Sequence, residues 1–188
     1  MTISLYDLSV PTFLQTTRAV GHVMDRAVRH CAETGADPDD FVEARLVDDM
    51  APFHFQIEAL KNHALWGVEA ARTGIFAPPP LIGAMPFADL RAIIASTIKD
   101  LEALTPDDVD SWFDKKLEIE IFRPLDPENA WRSAWGPQTL ALTPATYLLT
   151  YALPNFYFHV VTAYHILRTR GVPIGKGDYE GQLRVRPA

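Results

Sequence analysis

Along four long stretches of this chain apolar residues recur in steps of three and four, the spacing that places them on one side of an α-helix. The first stretch runs from about Ser9 to Glu33 and turns Phe13, Thr17, Val20, Met24, Ala27, Val28 and Cys31 inward. Ser9 is placed to cap it, Pro11 falls in the first turn and Gly35 closes it. His22 lies opposite that stripe and His30 well off it, so both are expected in solvent. Ala36 to Phe41 reads as a short capped turn. The second helix is expected from near Asp49 to near Gly74, with Pro52 in its first turn. Its inner stripe is Phe53, Ile57, Leu60, Ala64, Val68 and Ala71. After the stiff connector Pro78-Pro79-Pro80, a third helix runs from about Pro86 to Leu104 on Phe87, Leu90, Ile94, Ile98, Leu101 and Leu104.

The period then changes. Lys115 to Arg123 alternates apolar and charged residues, which predicts a half-buried strand, and Gln138 to Thr143 is its candidate partner. Between them lies a loop with Trp131, Trp135 and several prolines. Together they make a β-hairpin insertion over about 115–143. The fourth helix opens at Thr143-Pro144, a cap followed by proline at the first helical position. Pro154 is expected to kink or split it, and Gly171 to stop it. Four amphipathic helices of about 20 residues predict an all-α four-helix bundle in a single domain over residues 1–188.

Composition narrows the function without naming it. The chain has 188 residues, 48% of them hydrophobic and 22% charged, with a net charge of -7. That balance suits a globular domain and speaks against a nucleic-acid partner, which would need clustered Lys and Arg. Arg168 and Arg170 at a helix end have a capping explanation. Cys31 is the single cysteine, so no disulfide forms within the chain and a reducing compartment is expected. No apolar run is long enough to span a membrane, and the start of the chain lacks the pattern of a signal peptide. The expected location is the cytoplasm.

His159 is the leading candidate for chemistry. Phe156, Val160, Ala163 and Leu167 define the inner face of its helix, and His159 lies about 60° from the centre of that face. Its ring then lines a cleft, as a metal ligand or general base, or sits at the core boundary bonded to a neighbouring helix. His165 is about 120° off the inner face in the other direction and reads as a surface residue. On the second helix, His54 and Glu58 are four apart and share a face, and Gln56 and His63 flank the other edge. His159, His54 and Glu58 are therefore candidate metal ligands for a divalent metal. The alternative is that Glu58 and Asn62 are solvated and His54 is a partly exposed first-turn residue. Gly171-Val-Pro-Ile-Gly175-Lys176-Gly177 is not a phosphate loop, because its spacing, the residue after Lys176 and the preceding helix are all wrong. It reads as a turn that Lys176 and Asp178 tie back to the bundle. There is no GxSxG or GxGxxG, and Cys31 packs inside rather than acting as a nucleophile. Trp112, Trp131 and Trp135 read as the cover of a ligand pocket or dimer surface, or as a minor core under the hairpin.

The run Leu153-Pro-Asn-Phe-Tyr-Phe-His159, with Ala163-Tyr164-His-Ile166-Leu-Arg168 and Gly171-Val-Pro-Ile-Gly175-Lys176-Gly-Asp178-Tyr, resembles a bacterial domain-of-unknown-function family, the one numbered nineteen-ninety-three. Asp49-Met50-Ala-Pro52-Phe53, Gln56 and the N-terminal Leu5-Tyr6-Asp-Leu-Ser-Val10-Pro11 resemble it too. That family is similar to the DinB/YfiT-like bundles. The resemblance implies an up-down-down-up arrangement and a homodimer, and His159, Gln56, Tyr164, Lys176 and Asp178 are the candidate residues for a small-molecule ligand. Many DinB-like proteins hold a divalent metal with one histidine on helix two and two on helix four, and relatives with that triad include thiol-dependent transferases. Here His159 matches one helix-four ligand and His54 the helix-two ligand, but Ala163 stands where the second helix-four histidine would be. Two classes of function follow. One is a metal- or small-molecule-binding bundle, with His159 or metal-bound water as base. The other is a non-catalytic structural or interaction bundle.

Overall fold

The computed structural model describes residues 4–129 and 133–185, so Trp131 lies outside the described residues. The chain is mostly helical, with one small antiparallel sheet. Helix α1 (Leu5–Thr34) packs against α4 (Phe87–Glu102) and α7 (Leu153–Thr169). Helix α2 (Phe53–Lys61) packs against the same two. Phe13, Met24, Phe53, Ile57, Phe87, Leu90, Ile94 and Phe156 are almost fully buried where these helices meet. Among the described residues no helix is long and apolar enough to cross a membrane.

Helix α1 starts earlier than its periodicity suggests. Ser4 caps it, its Oγ accepting from Asp7 N at 3.1 Å, while Ser9 is buried and donates back to Leu5 O. Pro11 thus lies inside the helix rather than in its first turn. Proline has no N–H to offer the carbonyl four residues back, and that carbonyl, Asp7 O, accepts instead from Arg184 Nη1 at 3.4 Å. Gly35 closes the helix in the left-handed region, as expected (φ 77°).

The second long segment starts at Phe53, not Asp49. Pro52 precedes it in extended geometry (φ -71°, ψ 174°), and a residue before proline is itself pushed out of the helical region. Phe53 N and His54 N donate to Ala44 O and Val42 O, which folds residues 42–52 back on the helix start. After Lys61 the backbone widens into a π-turn, Asn62–Trp66, and then continues as α3 (Gly67–Thr73). Across from it a second π-turn, Leu148–Ala152, joins α6 (Pro144–Tyr147) to α7. It answers the expectation of a break at Pro154. That proline cannot bond to Thr150 O, and the helix loosens one turn ahead of it instead of ending.

The second π-turn meets the start of α3 at Gly67, where an added Cβ would stand 3.1 Å from Ala152 Cβ. We expect Gly67→Ala to destabilise the protein by about 1–2 kcal/mol in urea unfolding, even though alanine is the better helix former, because two packed backbones would have to separate.

The hairpin forms as its alternation predicts. Strands β1 (Leu117–Pro124) and β2 (Trp135–Leu142) pair antiparallel, Leu117 opposite Leu142 and Pro124 opposite Trp135. Leu117, Ile119 and Ile121 are buried and the residues between them exposed. Trp112 is buried near the short helix α5 (Pro106–Asp110), whereas Trp135 is exposed. A last short helix, α8 (Lys176–Glu180), lies against α1.

Candidate functional site

Gln56 and His159 meet across the α2–α7 contact. His159 Nδ1 is 2.8 Å from Gln56 Oε1, and Gln56 Nε2 donates to Ala51 O at 2.9 Å. The amide nitrogen being used there, the Gln56 oxygen faces His159, so His159 Nδ1 carries the proton and Nε2 keeps its lone pair. Gln56 is almost wholly buried, and its two bonds fix both the ring's angle and its tautomer.

His63 completes the group from the first π-turn. Its ring lies nearly parallel to that of His159, centroids 5.5 Å apart, and nearly parallel to Phe76, 5.2 Å apart. Tyr151, in the second π-turn, meets His63 edge-on and stacks on Tyr147. Phe55 and Phe158 flank His159. In these surroundings burial disfavours the imidazolium. It lowers His63 to about 3, with the neighbouring His159 adding to the effect, and lowers His159 to about 4. Burial likewise drives the Tyr147 hydroxyl far above its ordinary range and raises Tyr151, with Arg123 opposing the latter. At neutral pH the cluster is therefore two neutral imidazoles, a carboxamide and two neutral phenols. Two of its buried polar atoms, His63 Nδ1 and Tyr147 Oη, have no hydrogen-bond partner among the described residues.

The other candidate metal ligands are engaged elsewhere. Glu58 is buried and accepts from Ile82 N and Gly83 N. His54 lies between two carboxylates, Nδ1 3.5 Å from Glu58 and Nε2 3.5 Å from Glu43, the Glu58 contact being too poorly aligned for a hydrogen bond. His159, His54 and Glu58 are thus not drawn together. Among the described residues no group of three or more His, Cys, Asp or Glu is arranged to hold a metal ion. A three-histidine metal centre does not fit this donor set.

Tyr164, Lys176 and Asp178 form a third neighbourhood. Tyr164 Oη donates weakly to Ile174 O, and Lys176 pairs with Glu180 on an exposed turn. Asp178 accepts from Gly175 N and lies 3.3 Å from His22 Nε2. The Gly175 bond chiefly, with Arg26 and His22, holds its carboxyl below the usual range. The Asp178 contacts with His22 and Arg26 tie the C-terminal turn to α1, as expected for Asp178, whereas Lys176 pairs only within α8, and none of these contacts reaches His159. His22, expected in solvent, is exposed and faces Asp178, whereas His30 is half-buried.

Spacing already put Gln56 and His63 on one edge of their helix, since seven residues make nearly two full turns. That edge could have been joined to His159. Nothing in the local pattern marked Phe76, which reaches His63 from an irregular connector.

A family model described as a domain of unknown function (DUF1993) matches residues 5–180. The chain is similar to the crystal structure of a DinB family member protein from Shewanella denitrificans. The two superpose with a TM-score of 0.74 at 28% sequence identity, covering 98% of this chain and 96% of that one. Among curated proteins none matches.

Proposed function

The chain belongs to the family described as a domain of unknown function (DUF1993), and from that premise we propose that it is a DinB-like bundle that binds a small neutral molecule, without a metal, at the His63–His159–Gln56 cluster. The observation that carries this reading is the pair of unpartnered buried atoms, His63 Nδ1 and Tyr147 Oη, beside a histidine whose tautomer is fixed. Buried polar atoms in folded proteins nearly always find a partner, and a ligand supplying the missing bonds accounts for both. His159 Nε2, with its lone pair free, would be the base or acceptor of the site. The finer arrangement we propose is the up-down-down-up four-helix bundle, supported by α1 and α2 each packing on both α4 and α7.

The metal-free part of the reading is checked by metal analysis of untagged protein purified without chelator. Zinc, nickel and manganese should stay far below one equivalent per chain, and His159→Ala should change nothing. Near-stoichiometric metal that disappears in His159→Ala would overturn it. For the ligand, the ring signals of His63 and His159 are followed by NMR while phenol, indole and acetamide are titrated. At least one should shift both rings saturably, and silence from all three would sink the proposal.

A second reading, a structural or interaction bundle, draws support from the exposed Phe122, Leu125 and Trp135 near the end of the hairpin. It would gain ground if the titrations are silent.

A further inference from the structure

Residues 75–86 join α3 to α4 without regular secondary structure, and Phe76 brings them to the imidazole cluster. The Phe76 ring lies at 16° to His63 and at 82° to Tyr151, with centroids 5.2 Å and 5.8 Å away. At the near end of this strap Ile75 N donates to Thr73 Oγ1 and Ile75 O accepts from the same hydroxyl, and Met85 packs against the core near its far end. Gly74 and Gly83 bracket it in the left-handed region, at φ 78° and 96°, where residues with a Cβ are strained. Between them Pro78-Pro79-Pro80 stiffens the chain. Leu81 and Ile82 are exposed. The far end is pinned where Glu58 accepts from Ile82 N and Gly83 N.

We propose that this strap is a lid, and that Phe76 holds the place of a planar, uncharged aromatic ligand bearing one O–H or N–H group. The inference rests on the small-molecule reading above and names the class of molecule. A stiff segment between two glycines moves as a unit once its pin releases. When it moves, it takes with it the only strap ring stacked on His63 among the described contacts, leaving a flat aromatic-sized place beside a neutral imidazole. Aromatic rings prefer such stacked and edge-on neighbours. The ligand is uncharged because the groups described around the place are imidazoles, phenols and an amide, with no carboxylate or ammonium among them, and a buried charge without a counter-charge is costly. It carries a donor because His63 Nδ1, buried and unpartnered, can accept a hydrogen bond that Phe76 cannot give.

The test titrates phenol and toluene into wild type, Glu58→Gln and Phe76→Ala, reading the His63 and His159 ring signals by NMR, with circular dichroism confirming that each variant is folded. Glutamine keeps one acceptor for the strap amides and loses the carboxylate's second. Phenol should bind wild type weakly and Glu58→Gln about 5-fold tighter, because a lid that opens more often reduces apparent affinity less. Toluene should bind more weakly than phenol in both. Equal phenol affinity in wild type and Glu58→Gln overturns the lid but leaves small-molecule binding intact. Toluene binding as well as phenol overturns the required donor. No response of either ring in any protein, Phe76→Ala included, overturns the lid and the binding reading together.

Discussion

Acidifying this protein from pH 7 to pH 4 should bring it to the edge of unfolding, and His63→Phe should roughly halve the effect. In the unfolded chain both imidazoles take up protons around an ordinary value of 6.5, whereas in the fold His63 resists protonation until about 3 and His159 until about 4. Between those limits the unfolded state binds more protons, so falling pH favours it. The stability that the two neutral rings contribute is complete above pH 6.5 and drains away as pH falls towards 4. Each ring costs about 1.4 kcal/mol per pH unit across that window. By pH 4 the pair amounts to roughly 6 kcal/mol, against a total of about 5–15 kcal/mol for a typical domain.

The groups packed around the pair give little relief. His159 faces Gln56, Phe55, Phe158 and His63, and His63 faces Phe76, Tyr151 and His159. None of these is a carboxylate that would hold an imidazolium. Phenylalanine keeps a ring of similar size at position 63 while removing one titration. Urea midpoints at pH 7, 5.5 and 4.5 therefore separate the cases. A pH slope unchanged in His63→Phe would mean that other groups govern the acid limb.

Glu58→Ala should be the most damaging single change at neutral pH near the site. Its carboxylate is buried and receives two strap amides, and hydrogen bonds to charged groups contribute about 1.5–3 kcal/mol each. Part of that is offset because a buried charge no longer has to be desolvated, and because the freed amides lie near the surface and can reach water. A net loss of about 3 kcal/mol follows, or a fall in Tm of about 10 °C for a chain of this size. The loss should have an address. Limited proteolysis should cut Glu58→Ala first within residues 75–86. A variant that loses stability without new cleavage there would show that Glu58 serves the packing of α2 rather than the strap.

Much of the fold was legible because its apolar residues obey simple periods. The stripes of α1, α2 and α4 are buried largely as their spacing demands, and the alternation from Leu117 to Ile121 yields a strand with one buried face. Element starts were read less well, since distant partners decide them. Asp110 Oδ1 accepts from Tyr6 N, so a side chain far away in sequence helps to set where α1 begins, whereas α4 starts at Phe87, within one residue of its expected start. Helix α5 was missed although Thr105-Pro106-Asp107-Asp108 carries a cap, a first-turn proline and early acids. Of the site, the placing of His159 at the edge of the core pointed to its meeting with Gln56. His63 was visible as a polar residue on the right edge but not as a neighbour of His159. The grouping of His54 and Glu58 with His159 assumed that residues sharing a helix share a target, whereas Glu58 turns to the strap.

The facing π-turns make the winding of the backbone as decisive here as the residue types. A π-turn holds one residue more than an α-turn, so each behaves as a single-residue insertion absorbed within a helix. If the same residues, Leu148–Ala152, wound as regular α-helix instead, the two sides would turn about 100° relative to each other. Tyr147 would then leave the side of the helix that His159 occupies, with every residue of the cluster still present. The winding of these two segments is thus part of the site's chemical identity, and two chains of equal length with identical cluster residues would present them differently if one wound that stretch as regular α-helix.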